Sequence, residues 1–222
     1  MAERGDAGDV SATTQAVHQP DAVGTGRPGE VLPTYGHRTF GWWGMVWLIA
    51  TEATLFAVLI TSYFYVRFQS APIWPPDGIE APKLALPLVM SVVLWSSSIP
   101  VHVAERAIKR NRQGVLRAGL LLGFLLGAAF LVLTLGVEYP EKLREFTPRT
   151  NAYGSLFFTL TGLHASHVVV GLLMSAWTQW RAWAGAFDDR RHVTVQLFTM
   201  YWHFVDVVWV FVLATIYLSP HF

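Results

Sequence analysis

The chain has 222 residues; 53% are hydrophobic, only 14% are charged, and the formal net charge is +1. A typical soluble domain carries about 25% charged residues, so this composition argues against a soluble globular protein. The net charge says nothing about nucleic acid, and no basic patch with interleaved aromatics points to a nucleic-acid partner. No cysteine is present, which excludes disulfides, Cys-ligated zinc, iron–sulfur clusters and covalently attached haem. Site chemistry is left to His, Asp and Glu.

Residues 1–37 are rich in Gly, Pro, Thr and Asp and contain no apolar h-region. They read as a polar, mostly disordered tail rather than a signal peptide. Residues 38–222 form the second unit. Five apolar runs follow, at about 41–66, 84–104, 115–137, 152–177 and 197–218. A helix crosses a bilayer with about 20 apolar residues. Isolated strands would leave backbone groups unpaired in lipid, and no period-2 alternation suggests a barrel. The expected fold is therefore all-α: a polytopic membrane protein with five transmembrane helices in a bundle.

Lys and Arg set the orientation. With the N-terminus inside, inner segments hold eleven of these residues and outer segments five. The asymmetry predicts a cytoplasmic N-terminus and an outside C-terminus. Gly119, Gly123 and Gly127 recur every four residues in the third run, a spacing that lets helices approach closely in lipid.

The polar residues inside these runs are the candidate sites. Glu52 stands alone in "GMVWLIATEATLFAVLI", about 16 Å from the inner surface. A charge at that depth costs roughly 3 kcal/mol, so Glu52 should face protein or water. It suits a proton carrier and equally an inert hydrogen-bonded acid. In the fifth run His203 and Asp206 are three apart on one helix face, and in the fourth His164 and His167 repeat that spacing. Run lengths place Glu52, His164, His203 and Asp206 at similar depth on three helices. His102 and Glu105 fall at the inner end of the second run. A His pair at i, i+3 lacks the further ligands of a metal site, so no metal is expected. Facing histidines still leave open a membrane cytochrome b, with haem held by His164 or His167 and by His203. A small transporter using Glu52 as proton carrier is a third reading.

The segments "GMVWLIATEATLFAVLITSYFYVR", "WPPDGI", "LPLVMSVVLWSSSIPVHVAERAIKR", "TGLHASHVVVGLL" and "YWHFVDVVWVFVLATIYL" together resemble subunit III of haem–copper terminal oxidases, in its short five-helix bacterial form. The resemblance implies an accessory subunit with no redox centre, haem and copper being held by partner subunits. It implies subunit I as the main contact, subunit II as a second partner, and a bacterial inner-membrane location. It also implies phospholipid held in a cleft between the first two helices and the remainder, and a role in sustaining proton uptake. Arg67, at the outer end of the first run, and His203 are the candidate contacts for lipid phosphates, because cations and phosphate make strong hydrogen bonds. Glu52 matches the family's buried carboxylate in the first helix, preceded here by Thr51 where Ser is usual. His164, His167, His203 and Asp206 match its polar residues in the last two helices, and with Glu52 are the candidate proton-exchanging groups.

Overall fold

The computed structural model describes residues 34–35, 38–70, 74–76, 79, 82–188 and 191–221. The chain divides into two units after Pro33, and the second, Thr34–Phe222, is the one described. Apart from Thr34 and Tyr35, the polar segment 1–37 lies outside the described residues. Those two pair as β1 (Thr34–Tyr35) with β2 (Arg38–Thr39) in a two-residue antiparallel ladder.

Everything else of regular structure is helical. The helices are α1 (Phe40–Gln69), α2 (Ala85–Ile108), α3 (Gln113–Leu133), α4 (Tyr139–Glu145), α5 (Ala152–Trp183) and α6 (Val193–Val212). A π-helical turn, Thr134–Glu138, joins α3 to α4, and a second one, Leu213–Leu218, extends α6. Counting each π turn with its helix, five segments are long and apolar enough to span a membrane. The protein is an all-α polytopic membrane protein. At 30 residues, α1 is about 45 Å long, which exceeds a hydrocarbon core of about 30 Å and requires tilt or protrusion.

Local sequence sets the boundaries. Asn111 takes the left-handed conformation (φ 54°) after α2. Its N–H donates to the Ile108 carbonyl at 2.9 Å, and the Arg112 N–H donates to the Ala107 carbonyl at 2.9 Å. This paired closure satisfies the helix's last carbonyls, and Asn tolerates the positive φ it demands. Asn151 caps α5, its Oδ1 accepting from the Gly154 N–H at 2.8 Å.

Packing follows from small residues. A Cβ on Gly119 would lie 2.6 Å from the Pro100 carbonyl oxygen, and one on Gly123 would lie 2.5 Å from Val101 Cγ2. The glycine stripe therefore brings α3 onto the backbone of α2. Further along, Gly127 of α3 and Gly171 of α5 both face the Trp202 ring. Trp202 is thus clamped between two helices, and its Nε1–H donates to Ser97 Oγ at 2.8 Å. Span five is the most buried of the five and α1 the least. The first two helices do not form a separate pair: α1 lies against α5 and α6, while α2 lies against α3 and α6. A groove opens between α1 and α5.

Candidate functional site

The structure gathers the intramembrane polar residues into separate clusters rather than one layer. The first joins α1 to α5. His167 Nε2 lies 3.1 Å from Glu52 Oε2. His167 Nδ1 donates to the Leu163 carbonyl, one helical turn earlier, at 2.8 Å. Because a carbonyl can only accept, Nδ1 carries its hydrogen whatever the state of the pair. The Nε2–Oε2 contact then requires one shared proton, held either by the acid in a neutral pair or by the ring in an ion pair. The Phe56 ring sits edge-on to His167, 5.1 Å between centroids. The pair lines a groove of about 270 Å³ walled by Leu48, Leu55, Leu163 and Val170. The Glu52 side chain is 29% exposed and that of His167 11%, so the acid reaches the open side. Thr51 plays no part in the pair, since its hydroxyl donates to the Leu48 carbonyl of its own helix at 2.8 Å.

A second cluster joins α2 to α6. The Ser98 hydroxyl donates to Asp206 Oδ2 and lies 3.0 Å from His203 Nδ1. His203 and Asp206 share a face, as their spacing predicts, but a serine of another helix bridges them. The His102 ring is 6.1 Å from that of His203. Glu105, one turn beyond His102, pairs with Lys109 at 2.6 Å. Asp206 is buried, and its Oδ1 has no hydrogen-bond partner.

His164 belongs to neither cluster. It is 1% exposed and lies against Trp209, with centroids 4.9 Å apart and planes tilted by 33°. The edge of Phe130 closes in at 5.8 Å. Both of its nitrogens lack hydrogen-bond partners. Depth along the spans groups His164 with Glu52; the structure instead turns His167 to Glu52 and His164 into the aromatic core. Arg67 is half-buried near the end of α1.

Sequence reasoning misses two residues. Ser98 stands inside an apolar run, yet Ser98, His102 and Glu105 follow i, i+4, i+7 and share one face of α2. Glu138 falls just past the third run. It is 2% exposed and accepts a hydrogen bond from the Tyr217 hydroxyl, so the two π turns meet through this contact.

Among the described residues the arrangement does not bring together a haem or metal ligand set. Both nitrogens of His167 are engaged, His203 Nδ1 faces Ser98, and His164 is stacked on Trp209. Among the described residues no three of His, Cys, Asp and Glu come together in a metal-holding group.

Comparison with known proteins places this fold. The family described as cytochrome c oxidase subunit III matches residues 36–220. The chain belongs to that family. Cytochrome c oxidase subunit 3 of Synechocystis is 36% identical over 210 residues, covering 94% of this chain and 88% of that protein. The Thermostichus vulcanus subunit 3 is 30% identical over 187 residues, covering 84% and 90%. The Neurospora crassa subunit 3 is 36% identical over 180 residues, covering 78% of this chain and 65% of the fungal one. The chain is an accessory membrane subunit of the respiratory cytochrome c oxidase complex, and nothing in these similarities favours the haem-binding cytochrome b reading.

Proposed function

We propose that this subunit supports proton uptake by the catalytic subunit through the Glu52–His167 pair. The observation that carries the reading is the 3.1 Å contact between Nε2 and Oε2, with the ring's other nitrogen fixed on Leu163. A pair that holds one proton in either of two places can accept or release it with little rearrangement. Its groove is open, so exchange need not cross the core of this chain. The proton-exchanging set comprises Glu52 and His167 at the groove, with His203 and Asp206 on the second face. His164, stacked and unpaired, has the least support in such a role.

In this reading residues 38–222 form the membrane domain of a bacterial inner-membrane protein, and the 1–37 tail lies on the cytoplasmic side. Arg106, Lys109, Arg110 and Arg112 cluster at one end of α2 and α3, which supports an inside placement of that end. The chain packs beside subunit I, with subunit II in the same complex, and the haem and copper belong to those partners. Phospholipid is bound as well, with Arg67 and His203, which lie outside the groove, as candidate headgroup contacts.

The test is Glu52→Gln in the whole complex. A glutamine amide can donate to His167 Nε2, so the contact survives while the titrating proton is lost. The complex should assemble with normal haem spectra, and proton uptake or endurance in prolonged turnover should fall. Wild-type uptake, proton stoichiometry and lifetime in this variant would falsify the proposal.

A further inference from the structure

We propose that Ser98 links His203 to Asp206 as a proton relay, making Asp206 a proton store loaded from the Glu105 end of α2. The relay lies between α2 and α6, on helix pairs that do not include α1, and it stands whether or not Glu52 exchanges protons.

Hydrogen-bond accounting carries the argument. Serine has one hydroxyl hydrogen and two lone pairs. With Asp206 ionised, Ser98 gives that hydrogen to Oδ2. The 3.0 Å contact to His203 must then be a donation from Nδ1–H to Ser98 Oγ. Every bond in this chain points toward the acid. Let His203 carry a proton on both nitrogens. Its Nδ1–H bond breaks as a new Oγ–H bond forms, while the old Oγ–H bond breaks as Oδ2–H forms. The product is a neutral ring with its hydrogen on Nε2, an intact serine and a neutral carboxylic acid. One proton has moved, no group is left charged and unpaired, and the polarity of the chain has reversed. The reverse shift empties the store.

The surroundings fit the two ends of such a relay. At the receiving end Asp206 is 8% exposed, and its Oδ1 is buried without a partner. The acid therefore has a spare oxygen and little water around it to draw the proton off. At the loading end His203 is half-buried and His102 is exposed. Their rings are 6.1 Å apart, a gap one water can bridge. Glu105 follows one turn on, held by Lys109 at 2.6 Å. Ser98, His102 and Glu105 line one face of α2, opposite His203 and Asp206 on α6. A structural bridge needs only a hydroxyl between two helices; it does not need a titratable ladder running to a helix end.

Time-resolved infrared spectroscopy of the purified oxidase complex tests this, after a pH jump from a caged proton. The carboxylic C=O band of Asp206 is identified by its loss in Asp206→Asn. Ser98→Ala should slow the rise of that band on the order of a hundredfold, the loss expected for a positioned proton-transfer group. Ser98→Thr restores the hydroxyl and should remain within about threefold of wild type. His203→Gln keeps a polar group beside Ser98 but cannot carry the proton, and should slow loading as Ser98→Ala does. Because Ser98→Ala also removes a hydrogen bond that favours the ionised acid, the rise is compared after scaling each variant to its own equilibrium amplitude. An unslowed rise in both Ser98→Ala and His203→Gln, or no band assignable to Asp206, would overturn the proposal.

Discussion

Gly127→Ala adds one methyl group where the structure leaves no room. Its Cβ would lie 2.5 Å from Trp202 Cη2, 2.7 Å from Cζ2 and 3.2 Å from Leu172 Cδ2. Carbon atoms rest at about 3.5–4.0 Å, so the indole would have to retreat by roughly 1 Å. It cannot do so freely. Its far side meets Gly171, where a Cβ would stand 2.7 Å from Cζ3, and its Nε1–H is held by Ser97 at 2.8 Å. Overpacking of this kind costs about 1–3 kcal/mol, and the clamp places the site in the upper half of that range. Alanine's helix preference returns up to about 1 kcal/mol. Burial of the methyl returns little, because lipid is already apolar. The net expectation is a loss of about 1–2 kcal/mol, five- to thirty-fold in an equilibrium constant. Gly44→Ala is the control, since a Cβ there meets nothing within 4 Å; it should be neutral or slightly stabilising. The assay is the denaturing-detergent concentration at which the chain loses helicity or leaves the purified complex. Trp202→Phe in the Gly127→Ala background should recover part of the loss, because the smaller ring frees the space. Equal tolerance of Gly127→Ala and Gly44→Ala would refute the clamp.

Two further expectations rest on other parts of the molecule. Glu138→Leu leaves the buried Tyr217 hydroxyl without its acceptor and should lower stability by about 1–3 kcal/mol, whereas Glu138→Gln keeps an acceptor oxygen and should lose much less; thermal or detergent unfolding of the complex separates them, and equal losses would sink the assignment. Reporter fusions at Arg110 and after Phe222 should report opposite sides of the membrane, cytoplasmic and periplasmic respectively; a cytoplasmic signal after Phe222 would break the orientation argument.

Five spans are legible in the sequence because length and apolarity alone define them, and each span starts within four residues of its run. The ends are less so. The third span continues past Val137 to Glu145, because Glu138 is taken up by Tyr217 and Lys142 by Glu145 at 2.8 Å; a charged residue with a partner reads in sequence like the edge of a membrane. Nor can spacing choose between His164 and His167. Residues three apart on a helix differ by about 60° around its axis. That angle is small enough to count as one face and large enough to send one ring to Glu52 and the other to Trp209. The choice is made by the rotation of α5, which the close approach of Gly171 to Trp202 fixes. Such a contact depends on the backbone of one helix and the side chain of another, and no single-segment pattern contains it. The Ser98 bridge is hidden for the same reason: its meaning depends on which residues of α6 stand opposite.

The two carboxylates that the clusters hold differ in what they require from outside the chain. Asp206 sits on the most buried span and is enclosed by this chain's own helices. Glu52 sits on the least buried span, with 29% of its side chain open. A carboxyl group open to acyl chains at mid-membrane costs roughly 3 kcal/mol if charged, and His167 shields only one of its oxygens. Around it, Trp47, Leu48, Leu55 and Val58 leave an apolar α1 surface that carries a polar break at its centre. A helix face of that kind is poorly matched to lipid along its whole length. It is well matched to a neighbouring protein surface that brings a polar group or a few waters to the same level, which is what supports placing the α1 side toward the catalytic partner. On the proposed placement of α1 against the catalytic partner, assembly would remove that cost and hold the Glu52 proton within reach of the neighbouring subunit.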